Sequence, residues 1–196
     1  MTSVVGIWNI ALSHVGKATI SDPNEESEEA RQCKLHYALT RDTMLQAYPW
    51  LFARKMQVLA EVTNTWGERW QHTFTRPSDC LKPIRIVPEI DIADDINGIA
   101  YSVGEGLIYC DISPAKLEYT MRFEDPTRFP PLFQDALSWA LATKIAMPLT
   151  KDQGVRKDAY QIAGQTLGAA QMADANEAND ESSTYDRPSA LIQSRS

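Results

Sequence analysis

Cys33 and His36 stand three residues apart in a stretch of helical character, so they share one helix face. A thiolate nucleophile beside a base is the chemistry such a pair can support. Free cysteine also behaves as a small buried hydrophobe, and packing is the stronger reading here. The other histidines, His14 and His72, have no partner at metal spacing such as HExxH. Cys33, Cys80 and Cys110 are odd in number, widely spaced and form no CxxC pair, which points to free thiols in a reducing cytosol. Gly104-Glu105-Gly106 begins like the GxGxxG fingerprint, but Tyr109 replaces the third glycine and the stretch continues as a strand. No catalytic residue, metal ligand or cofactor follows, and the chain reads as a non-enzyme.

Two further patterns carry structure more readily than chemistry. Gly164-Gln165-Thr166-Leu167-Gly168 is GxxxG in an amphipathic setting, which suggests close packing between helices rather than a membrane contact. The acidic run from Glu25 to Glu29 is explained as a solvated helix start. Among the aromatic residues, Trp50 and Phe52 read as core. Trp66 and Trp70 stand evenly between core and an exposed interface patch.

A chain of 196 residues with 43% hydrophobic residues suits one domain, or one domain with a modest insertion. The formal charge of −7 argues against a sequence-specific DNA binder, though not against a wall past which DNA slides. No apolar run is long enough to span a membrane, and the first residues carry no export signal.

These side chains must be positioned by four helices and a β-rich segment. Helical spacing over 3–15 ends at Gly16, a residue suited to a left-handed cap. Asp22-Pro23-Asn24-Glu25 reads as an N-cap, a first-turn proline and a capping-box acid. It opens a second helix that runs to Tyr48, before Pro49, with Ala30, Cys33, Tyr37, Met44 and Tyr48 on its buried face. Strands are expected at 57–62, 71–75, 81–87, 99–103, 107–110 and 117–123, with a tight hairpin turn at Val103-Gly104-Glu105-Gly106-Leu107. Pro130-Pro131 opens a third helix over 132–147. It is apolar nearly all round, so central, and is ended by Pro148. A fourth, alanine-rich helix covers 152–178. Residues 179–196 turn polar and are expected to stay disordered until docked, with Tyr185, Pro188, Leu191 and Ile192 as anchors on a partner. The expected class is α+β, mainly α: a four-helix bundle (1–56 and 130–178) with a small antiparallel sheet inserted at 57–129 and a flexible C-terminal tail.

Five blocks, in order and over most of the chain, resemble one family. They are Ile10-Ala11-Leu12-Ser13-His14-Val15-Gly16; Glu29-Ala30-Arg31-Gln32-Cys33 with Tyr37, Arg41 and Asp42; and Pro49-Trp50-Leu51-Phe52-Ala53. The last two are Arg76-Pro77-Ser78-Asp79-Cys80-Leu81, and Phe129-Pro130-Pro131-Leu132-Phe133-Gln134-Asp135-Ala136-Leu137 with Ala146-Met147-Pro148-Leu149-Thr150. Together they resemble the head-to-tail adaptor of tailed bacteriophages, the tail tubular protein A family of short-tailed phages. In the fourth block the family usually has Leu-Pro, where this chain has Arg-Pro.

The resemblance implies a virion protein, assembled in the host bacterial cytoplasm and taking part in genome ejection. About twelve copies would form a ring between the portal protein and the tail tube or nozzle. Tail fibres are a further partner, and double-stranded DNA passes through the lumen without sequence-specific binding. No catalytic residue or cofactor carries over. Tyr37, Arg41, Asp42, Pro49, Trp50, Phe52, Pro131, Leu132 and Phe133 would serve as motif and core residues. The rival readings are another head-completion or stopper protein, and a non-viral cytosolic helical interaction module.

Overall fold

The computed structural model describes residues 3–64, 66–88 and 99–184. It is a mixed α/β structure with four helices and two small antiparallel sheets. The chain divides into two compact units, Met1–Arg41 with Asp125–Ser196, and Asp42–Glu124.

The first unit is helical. α1 (Val4–His14) is capped by Ser3, whose Oγ accepts from the Gly6 amide at 3.0 Å. Its end matches the sequence reading: Gly16 takes φ 67°, and the Lys17 amide donates back to the Leu12 carbonyl. The following linker is clamped to the helix by Asn9, which bonds both the amide and the carbonyl of Ile20.

α2 (Glu28–Ala47) begins five residues later than the capping signature at Asp22 predicts. Asp22 spends its carboxylate on the Asn24 amide, and its carbonyl accepts from the Glu25 amide, so Pro23 sits inside a turn. The capping role falls to Ser27, whose Oγ accepts from the Ala30 amide at 3.2 Å.

α3 (Pro131–Thr150) packs against both α1 and α4 (Gln153–Thr184). Phe133, Leu137, Leu141 and Ile145 are fully buried along it, as a helix apolar nearly all round requires. Pro148 does not end it but lies within its last turn. The end comes at Lys151, in the left-handed region at φ 58°, where its amide bonds the Met147 carbonyl. The missing proline N–H and the ring's clash with the Lys144 carbonyl cost about 3 kcal/mol in a helix interior. Burial of Ile145 and Ala146 on the preceding turn offsets that cost. α4 continues to Thr184, beyond the expected end at 178. Trp8 of α1 meets Tyr37 of α2 edge to face, with ring centroids 5.8 Å apart.

Among the described residues the second unit holds seven strands in two sheets, where the sequence suggests one sheet. β1 (Arg54–Val58), β7 (Ala115–Met121) and β4 (Cys80–Pro88) form one, in the order β1-β7-β4. β2 (Glu61–Val62), β3 (His72–Thr75), β6 (Leu107–Cys110) and β5 (Tyr101–Gly104) form the other, in that order. The single strand expected at 57–62 is thus two strands belonging to different sheets. Leu59, Phe74, Ile86, Ile108, Leu117 and Tyr119 from both sheets share one apolar core. Period-2 alternation sends those on the strands inward, and Leu59 joins them from the link between β1 and β2. β4 tolerates Pro83 and Pro88 because it is an edge strand, and its pairing with β7 is interrupted by two register shifts. The hairpin turn is as expected: Gly104 pairs with Leu107 around Glu105 (φ 55°) and Gly106 (φ 75°).

Candidate interaction surfaces

The pairs that sequence singled out for chemistry are not built for it. Cys33 is fully buried, and that burial, with Glu29 nearby, pushes its thiol up to about 12. A thiol so placed is not a nucleophile at neutral pH. His36 lies half-buried on the same helix, with no hydrogen bond to Cys33 among the described residues.

His14 makes the more developed site. Its ring stacks on Trp139, and its Nε2 lies 3.0 Å from Ser138 Oγ. The serine hydroxyl donates to the Asp135 carbonyl at 2.7 Å, so His14 must donate to Ser138 through Nε2–H. A serine already donating to its own helix is held away from nucleophilic duty. Burial lowers the His14 pKa, partly opposed by the negative charge of Asp135.

His72 Nδ1 pairs with Glu61 Oε1 at 2.7 Å, and Glu61 also accepts from Ser113. These bonds, that of His72 first, hold the Glu61 carboxyl below its ordinary range. Among the described residues, no group of three or more His, Cys, Asp and Glu is placed to hold a metal ion. No helix among them is long and apolar enough to cross a membrane.

The second unit carries two polar clusters. On the core side, Lys55 Nζ and Tyr119 OH both bond Asp79, each at 2.8 Å. Burial works to raise the Asp79 carboxyl, but the bonds from Lys55 and Tyr119 outweigh it and hold it low. On the opposite face of the same sheet, Glu118 of β7 is buried between Arg54 of β1 and Arg85 of β4.

What remains exposed is apolar and lies on regular elements. Leu35 and Leu39 stand one turn apart on α2 at 69% and 70% exposure. Tyr160 and Met172 on α4 are as open. Met56 and Val58 project from one face of β1, and Trp66 shows one face while the other lies on Tyr109, with centroids 4.5 Å apart. The glycines of the GxxxG pattern correct the packing expectation. A Cβ at Gly164 or Gly168 would meet nothing within 4 Å, so neither glycine brings another helix close in this chain.

Of the motif residues, Trp50 and Phe133 are fully buried, and Tyr37 and Arg41 nearly so. Trp50 donates its indole N–H to the Met44 carbonyl at 2.9 Å. The Arg41 guanidinium lies 6.0 Å from the Tyr37 ring centre. Phe52 is half-buried edge to face with Phe123, and Pro49 is half-buried beside Trp50. Asp42 pairs with Arg122 at 2.9 Å. Pro131 and Leu132 depart from the core assignment: both are exposed, Leu132 at 47%. They occupy the first turn of α3, where only the face carrying Phe133 turns inward. Tyr185, Pro188, Leu191 and Ile192 lie outside the described residues. Leu35 and Leu39 went unremarked in sequence. Their signal was available, since both fall off the face marked by Ala30, Cys33 and Tyr37.

No protein-family model matches the chain, and no curated protein sequence matches it significantly.

Proposed function

We infer that this chain is a structural subunit of a head-to-tail connector. About twelve copies form a ring that joins the portal to the tail tube or nozzle and surrounds the DNA channel. The observation that carries the reading is the exposure of Leu35 and Leu39 on one face of α2. Covering such a side chain stabilises by about 1.5–3 kcal/mol, a gain left unused in a single copy. Tyr160 and Met172 provide apolar surface on a different helix, and a closed ring joins two different faces of each subunit. The block resemblance supplies the particular role. It also makes the helical unit a four-helix bundle, a reading supported by the packing of α3 on α1 and α4 and by the Trp8–Tyr37 contact.

In this role the net charge of −7 keeps phosphates from adhering to the channel wall. The C-terminal residues Tyr185, Pro188, Leu191 and Ile192 order on the portal, so that docking follows completion of the head. Negative-stain electron microscopy of the chain mixed with the portal ring of the same genome tests the reading. A second ring layer beneath the portal is the expected image. A bare portal beside monomers would overturn it in favour of a host-binding helical module.

A further inference from the structure

We propose that the outer face of the β1-β7-β4 sheet of one copy receives the acidic start and exposed leucine stripe of α2 from a second copy. The proposal rests on the ring reading and names the two faces that meet.

The sheet face is defined by register. Met56 and Arg85 both pair with Glu118 from opposite sides, so one row across the sheet reads basic, acidic, apolar: Arg85, Glu118, Met56. The neighbouring rows add Arg54 and Lys82 on one side and Val58 on the other. In a chain of net charge −7 this face is predominantly basic. Its flanking strands are open, with Met56 54% and Val58 47% exposed and the side chains of Arg54 and Arg85 at 36% and 43%, while Glu118 and Thr120 on the central strand are buried.

The exposed face of α2 reads in the complementary sense. Glu28, Arg31 and Leu35 follow at helical spacing on one side, with Leu39 a turn further on. Glu28 and Arg31 are already paired at 2.7 Å, which fixes their order along the face. Asp22, Glu25, Glu26 and Glu29 keep the region before and around them acidic despite Arg31 and Lys34.

The spacings agree as well as the signs. Strands lie about 4.8 Å apart, so Arg85 and Met56 are separated by about 10 Å across β7. Glu28 and Leu35 are seven residues apart, about 10 Å along a helix rising 1.5 Å per residue. A helix laid across the strands sets Glu28 on Arg85 and Leu35 on Met56 in a single register, with Glu118 buried between its two arginines. Two different faces of one chain then meet, as a ring made by rotation requires. The exposed Met56 and Val58 favour this occupant over a nucleic acid, whose phosphates would leave them uncovered.

The test is a charge exchange in the full chain, read by sedimentation with the portal ring present. Lys82→Glu with Lys116→Glu (Lys116 of β7 is the register partner of Val58) reverses the sheet face, and Glu26→Lys with Glu28→Lys reverses the helix face. Each variant alone is expected to weaken assembly at least tenfold. Mixed together they are expected to recover it, because every contact in an alternating ring is then complementary. Leu39→Asp, on a residue 70% exposed, checks the apolar half without touching the charges and is expected to weaken assembly as much.

Rings formed by all the variants as readily as by wild type would overturn the contact and leave the ring reading standing. Loss without recovery on mixing would also overturn it. So would duplex-DNA binding by the wild type that Lys82→Glu with Lys116→Glu abolishes with assembly unchanged. Wild-type chain that never assembles, even on the portal, would instead defeat the ring reading itself.

Discussion

His14 lies flat on Trp139, with ring centroids 3.5 Å apart and planes 8° from parallel. The stack ties the last turn of α1 to α3, and the His14–Ser138 hydrogen bond fixes its rotation. Burial of the ring disfavours its charged form and lowers the His14 pKa, partly opposed by Asp135.

Stability should therefore fall in mild acid. The folded pKa of His14 lies below the unfolded value, so below about pH 6.5 the unfolded chain binds the extra proton. The contribution is fully present above that pH and is lost as pH falls through the folded value. Urea melts of wild type and His14→Phe at pH 7.5 and 5.5 check this. Phenylalanine keeps a flat ring but cannot titrate, so the wild type should lose more stability between the two pH values. Equal losses would show that His14 is not the titrating group.

Glu118 and Asp42 offer a contrast between two carboxylates, each paired with arginine. Glu118 is 3% exposed and faces two arginines, whereas the Asp42 side chain is 22% exposed and pairs with Arg122. Removing one partner of a buried pair costs about 3–5 kcal/mol, and the part-exposed arginines reduce that here to about 1–3. Glu118→Gln should therefore cost more than Asp42→Asn, for which about 1 kcal/mol or less is expected. Denaturant unfolding of the two variants compares them directly, and a reversed order would mean that Glu118 is not the anchor of the sheet's outer face.

Gly164 and Gly168 face open space in mid-helix, so alanine meets no obstacle at either position. Each substitution should stabilise the chain by about 1 kcal/mol through helix propensity alone. Thermal melts of Gly164→Ala and Gly168→Ala test this. A destabilised variant would show that the glycines are packed after all.

Cys33, with its thiol pushed up to about 12, should resist labelling at pH 8 in the folded chain and react once denaturant opens the helical unit. The rate of modification by a thiol-specific chromogenic disulfide, followed by mass mapping of the labelled residue, reads this out. Fast labelling of Cys33 without denaturant would restore the nucleophile reading.

The local character of this chain was legible without coordinates. Helical spacing located α1, α3 and the body of α2, because a 3.6-residue period declares which face meets the core. Gly16 and the Glu105-Gly106 turn were legible for the same kind of reason, since few residues adopt positive φ cheaply. Trp50 and Phe133 were legible as core because large apolar side chains gain most from burial.

Tertiary structure decided the rest. Asp22 and Ser27 are both competent caps, and the first was taken by its own turn with Asn24. Pro148 carries a local penalty that only burial on the preceding turn of α3 can offset. The separation of β1 from β2 into different sheets depends on pairing with β7 and β3, partners far along the chain. Whether Leu35, Leu39, Gly164 and Gly168 were covered was likewise settled by what the remaining elements bring near them. Periodicity and backbone sterics act within a few residues and can be read in line. Coverage is set by distant partners, and the sequence names those partners only once it is folded.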